Sequence, residues 1–213
     1  MKLSQVYMTL EEAKFEPLLR AKYQLLANYL TLFISDWLKK LKLELGFFNR
    51  IVFQEGNDRD MSAVGDKAFR VCVEPEFYSL NQFATEGDVH RYFTTKYLEG
   101  FARFDKQFNL NLTADLQAKL ENSFTDGLKY DIKAKPKKVG DVTVQALHRY
   151  KYDSYTLVVQ KINKKKEILD EQVIFTCDPD PFVVHFDVNK VEIDDSKVRV
   201  INKVREVTLV YDL

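Results

Sequence analysis

Apolar residues recur at every third or fourth position from Leu19 through Tyr23, Leu26, Leu30, Phe33, Trp37 and Leu41. This spacing lines one face of an α-helix and predicts the longest helix of the chain. Pro17 marks its start, because proline suits a first helical turn and breaks an interior one; the other reading is a short helix begun by Thr9 and Glu12 in capping-box spacing, with a kink at Pro17. Gly46 supplies a left-handed stop, and Lys39, Lys40 and Lys42 complement the dipole of the last turns. A second periodic face, Val89, Phe93, Tyr97, Phe101, Phe104 and Phe108, predicts an aromatic-faced helix capped by Asp88. Gly100 inside it costs about 1 kcal/mol against alanine and implies a close neighbour. Leu116, Leu120 and Phe124 predict a third helix, capped by Thr113 and stopped by Gly127.

Elsewhere the period falls to two. Residues 47–53 and 68–73 are β-rich and suit an antiparallel strand pair. The polar loop between them, residues 54–67, exceeds the usual hairpin length of about 2–5 residues, and with Glu55, Asp58, Arg59 and Asp60 it is a candidate binding surface. From Lys129 to Leu213 alternation dominates: Tyr130, Ile132 and Ala134, then Val142, Val144, Ala146, His148, Tyr150 and Tyr152, then residues 155–162 and 168–177. Asp178, Pro179, Asp180 and Pro181 block strand pairing and mark a corner. Phe182, Val184, Phe186 and Val188 alternate again and predict a strand; Val191 and Ile193 follow out of phase, and residues 198–200 and 204–211 close the chain.

Taken together, the pattern predicts an α+β fold, with an antiparallel C-terminal meander of about six strands packed against one long and one or two shorter amphipathic helices. It reads as a single domain over residues 1–213, helical through 1–128 and a β-meander over 129–213, with any boundary confined to residues 125–140.

Composition agrees with a folded chain: of 213 residues, 46% are hydrophobic and 30% charged, with too few Gly (7) and Pro (5) for a low-complexity class. No repeat of fixed period is present. The first ten residues lack the apolar core of a secretory signal, and residues 25–38, interrupted by Asn28 and Asp36, fall short of the roughly 30 Å of a bilayer core. Cys72 and Cys177 lie within apolar runs and read as buried thiols, which points to a reducing, cytoplasmic setting.

Lys plus Arg and Asp plus Glu balance at 32 each, so no net charge draws the chain to nucleic acid or an anionic membrane. The distribution is uneven. Residues 129–166 hold 11 basic and 3 acidic side chains, and residues 167–213 hold 5 basic and 11 acidic. Lysines 133, 135, 137, 138 and 164–166, with Tyr150, Tyr152 and Tyr155 near, have the composition of a strand-tracking basic rim, although Arg149 is the segment's one arginine and arginine dominates base and phosphate readout.

No glycine-rich phosphate loop, H-E-x-x-H, C-x-x-C or G-x-S-x-G motif occurs. Of the three histidines, His148 shares a strand face with apolar residues and His90 opens a helix. His185 and Asp187, two apart on a predicted strand, share a face beside the corner at Asp178 and Asp180, a set that suits positioning a water or a metal. Three functions follow. The first is a non-catalytic intracellular binding protein, of inhibitor or immunity type, that meets a basic protein partner through Asp178, Asp180, His185, Asp187, Glu192, Asp194 and Asp195. The second is a small hydrolase centred on His185, Asp187 and Asp178. The third, disfavoured by the lysine-rich composition, is nucleic-acid binding through residues 129–166. The first is preferred, with no cofactor, no metal and no membrane association.

Overall fold

The computed structural model describes residues 1–56, 61–65, 67–125, 127–194 and 196–213. The fold is α+β, in two compact units, Met1–Leu128 and Lys129–Leu213. Their division lies inside residues 125–140, the stretch to which the sequence confines any boundary.

The first unit begins with β1 (Gln5–Leu10), then α1 (Pro17–Leu41), β2 (Arg50–Glu55), β3 (Ser62–Val64), β4 (Ala68–Val73), α2 (Glu86–Phe108) and α3 (Leu112–Ser123). The strand order is β1-β2-β4-β3. Thr9 therefore does not start a helix. It lies in β1 opposite Gln54, and Val6, Met8 and Leu10 alternate inward, so the long helix starts at Pro17. β1, α1 and β2 make a β-α-β unit with parallel strands, and the length of α1 is what lets the chain return to the same end of the sheet.

β2 and β4 also pair in parallel, not antiparallel. The reason is β3, which pairs antiparallel with β4 at the sheet edge, so the chain reverses twice between the two inner strands. The polar connection that reads as one long loop thus contains a strand. Asp58, Arg59 and Asp60 lie outside the described residues.

α1 packs on β1, and α2 packs on β4. Tyr23, Leu30, Ile34 and Leu38 of α1 are buried, as are Phe93, Tyr97, Phe101 and Phe104 of α2. Gly100 has the close neighbour its position implies: a Cβ there would sit 2.3 Å from the Phe53 ring. The helix ends depart from expectation in detail. α1 closes at Lys42 in the left-handed region (φ 55°), before Gly46 is reached. Thr85 caps α2, with Asp88 as its reciprocal partner three residues on. Asp105 of α2 caps α3, accepting from the N–H groups of Leu112 (3.0 Å) and Thr113 (2.8 Å).

The second unit holds β5 (Tyr130–Lys133), β6 (Lys137–Val139), β7 (Val142–Tyr150), β8 (Tyr155–Ile162), β9 (Ile168–Cys177), α4 (Pro181–Asp187), β10 (Lys190–Ile193), β11 (Lys197–Ile201) and β12 (Val207–Asp212). All pairings here are antiparallel, but they form two sheets in place of one meander: β5-β7-β8-β9, with β6 also on β7, and β10-β11-β12. Val144, Val159 and Val198 join the two sheets in one core, with Ile174, Val191 and Tyr211 against them.

The segment predicted as a strand at Phe182–Val188 is instead the helix α4. Pro181 occupies its first turn, and the Asp180 carboxylate accepts the Phe182 N–H at 2.8 Å. An every-second-residue pattern over seven positions also contains pairs spaced by four. In the helix these separate, with Val184 and Val188 buried and Phe182 and Phe186 outward. Among the described residues, no helix is long and apolar enough to cross a membrane.

Candidate functional site

The acidic corner follows directly from the end of β9. Cys177 is half-buried, its thiol donating to the Asp178 carbonyl at 3.2 Å. Burial pushes this thiol up to about 11, with Asp187, Asp178 and Asp180 adding to the effect. Three of the residues expected at a partner surface thus lie near enough to this thiol for their charge to act on it. Asp180 serves also as the α4 cap, and none of the three makes an ion pair with a described cation.

His185 and Asp187 do not share a face. Two helical residues lie about 200° apart around the axis, so the pair expected from strand alternation is separated by α4. Among the described residues, no group of three or more His, Cys, Asp or Glu side chains has an arrangement to hold a metal. What α4 does present is apolar: Phe182 is 86% exposed, Phe186 48% and Val183 40%. Phe182 and Phe186, one turn apart, form an outward aromatic pair beside the carboxylates.

The remaining acidic candidates belong to the β10–β11 hairpin. Glu192 pairs with Lys190 at 2.6 Å. Asp194 accepts the N–H groups of Ser196 (2.9 Å) and Lys197 (2.7 Å) and pairs with Arg199 at 2.8 Å. Those backbone bonds, with Arg199 close by, hold the Asp194 carboxyl below its usual range. Asp194 thus closes the hairpin turn, whereas Glu192 pairs along its own strand. Asp195 lies outside the described residues.

The basic segment is similarly engaged at its one arginine. Arg149 spans Asp131 (3.0 Å) and Glu171 (2.9 Å) across the sheet, bonds that push its guanidinium further up. His148 shares a hydrogen bond of 2.9 Å with the Tyr155 hydroxyl, and burial pushes its imidazole down. His90 Nδ1 meets the Tyr29 hydroxyl at 2.8 Å and is likewise pushed down by burial. Both histidines are structural partners of tyrosines.

One polar cluster in the first unit is missed by the sequence reading. Glu55, expected on a loop surface, is 1% exposed at the carboxyl end of β2. One oxygen accepts the hydroxyls of Tyr23 (2.8 Å) and Tyr92, and the other accepts the N–H groups of Glu76 and Phe77. Burial first, and Glu55 second, push the Tyr23 and Tyr92 hydroxyls well up, so both remain donors at neutral pH. Beside it Lys96, also 1% exposed, donates to the Glu74 carbonyl (2.7 Å) and approaches Glu76 (3.2 Å) and Glu99 (3.5 Å). These bonds pin residues 74–77 where the chain leaves β4. A signal for this existed: Ile51, Phe53 and Glu55 fall on one strand face, so period two places the carboxylate inward.

No protein-family model, curated protein or solved structure matches the chain.

Proposed function

We propose that the chain is a non-catalytic binding protein, of the inhibitor or immunity type, and that the α4 corner docks on a basic surface of another protein. The observation that carries this reading is the exposed pair Phe182 and Phe186 beside three carboxylates that no described cation neutralises. Aromatic side chains held outward on a helix, with charge at their rim, combine the anchor and the steering that interfaces use. The surface expected from the sequence is thereby narrowed. Asp178, Asp180 and Asp187 face the partner, while Glu192 is neutralised by Lys190 and Asp194 secures its own hairpin turn. The hydrolase reading needs His185 and Asp187 on one face, and α4 sets them on different faces.

Site-specific photocrosslinking tests this. A benzophenone side chain placed at Phe182 should yield one dominant adduct with a basic protein in cells of the native host. The same group at exposed Tyr78, in the other unit, should not. Equal adducts from both positions, or an adduct at 182 unchanged by Asp178→Lys with Asp187→Lys, would overturn the reading.

A further inference from the structure

Beyond the carboxyl end of β4, the first unit carries an open cleft of about 370 Å³, whose lining includes Glu76, Tyr78, Phe83, Asp88, Arg91 and Tyr92. Phe83 and Tyr92 have ring centroids 5.1 Å apart and planes at 67°, so they form two adjoining walls set steeply to each other. Tyr78, 74% exposed, stands on the lining with them.

The chemistry of these walls favours a cation. An aromatic face carries negative quadrupole density and attracts ammonium groups. The Tyr92 hydroxyl donates to the buried Glu55 carboxylate, which enriches its ring further. One ammonium already uses this ring: Lys96 Nζ lies 5.8 Å from the Tyr92 centroid. The rim adds Glu76, whose side chain is 63% exposed, and Asp88. Among the described lining residues Arg91 is the one cation, and it leans toward Asp88 at 3.7 Å with its side chain 79% exposed; Glu76 meets Lys96 through Oε2 at 3.2 Å, and its largely exposed carboxylate keeps Oε1 for a ligand.

We propose that this cleft binds an alkylammonium group, seated against Tyr78, Phe83 and Tyr92 with Glu76 as its counter-charge. The group arrives either as a small free cation or as an N-methylated lysine of a polypeptide. This site is independent of the α4 surface.

Aromatic-proton NMR titration of the intact chain decides it, with choline as the probe and 3,3-dimethylbutan-1-ol as its uncharged carbon analogue. Choline should shift the ring resonances of Tyr78, Phe83 and Tyr92 saturably, and the neutral analogue should bind about tenfold more weakly. Tyr78→Ala and Glu76→Gln should each weaken choline about threefold or more, and Phe83→Leu supplies a second wall variant that keeps apolar volume. A peptide carrying trimethyllysine that binds more tightly than choline assigns a polypeptide source; equal or weaker binding assigns a small free cation. Shifts that rise linearly with choline, or equal affinity for choline and its neutral analogue, would overturn the proposal.

Discussion

Replacing Glu55 with alanine should be among the most damaging single changes in the first unit. Its carboxylate is the common acceptor of the Tyr23 and Tyr92 hydroxyls and of the Glu76 and Phe77 N–H groups, so alanine leaves four donors without a partner. Tyr92 and the Glu76 N–H are partly exposed and regain water, whereas the Tyr23 hydroxyl and the Phe77 N–H are buried. An unsatisfied buried donor costs about 1–3 kcal/mol, so these two cost about 2–6 kcal/mol. Removing the carboxylate also removes its own desolvation cost, which brings the expected net loss to about 3 kcal/mol. That is a large share of the roughly 5–15 kcal/mol that holds a domain folded. Glutamine keeps one oxygen for the two backbone donors and turns an amide toward hydroxyls that rotate to accept, so Glu55→Gln should cost only about 1 kcal/mol. Urea unfolding followed by Trp37 fluorescence reads this directly. Trp37 is the chain's single tryptophan, buried on α1 with its ring 5.9 Å from Phe101. A loss below about 0.5 kcal/mol for alanine, or equal losses for alanine and glutamine, would refute the role given to the carboxylate.

Gly100→Ala should destabilise the first unit by about 1–2 kcal/mol despite better helix propensity, because the added methyl meets the fully buried Phe53 ring at 2.3 Å; urea midpoints measure it, and a gain in stability would show that the ring moves freely. Burial lowers His148 and His90 below their ordinary 6.5, so the unfolded chain binds more protons as pH falls through that value. Their stabilising contribution is complete above about pH 6.5 and is lost as pH drops toward the folded values; urea midpoints measured from about pH 7.5 to about pH 5 should fall, and less steeply in His148→Gln. Cys177, raised from an ordinary 9.0 to about 11, should alkylate roughly a hundredfold more slowly at neutral pH than an unstructured thiol, and Asp178→Asn with Asp187→Asn should speed it up.

α1 and α2 were legible because each carries its apolar face through five or more turns, enough for the 3.6-residue period to exclude any other reading. β7 was legible by its alternating Val142, Val144, Ala146, His148 and Tyr150, and β8 and β9 by their β-rich runs. β1 was hidden by Thr9 and Glu12, which mimic a capping box, while Val6, Met8 and Leu10 held the strand pattern. The parallel pairing of β2 and β4 depends on a three-residue edge strand too short to carry a period. α4 was misread because seven residues fit two periods, and only the Asp180 cap and Pro181 distinguish them. Its consequence reaches the site. Strand geometry joined His185 to Asp187, whereas helix geometry joins Phe182 to Phe186 and leaves the acidic residues as their rim. The engagement of Asp194 also lay beyond the sequence, since Arg199 of β11 reaches it only once β10 and β11 pair.

Docking through α4 is tested most directly by the affinity of the protein captured at position 182, measured calorimetrically against the wild-type chain and Phe182→Ala with Phe186→Ala. Both phenylalanines are exposed, so the variant keeps its fold. If α4 anchors the complex, the double truncation weakens binding by about thirtyfold or more. An affinity unchanged by the loss of both rings would contradict it.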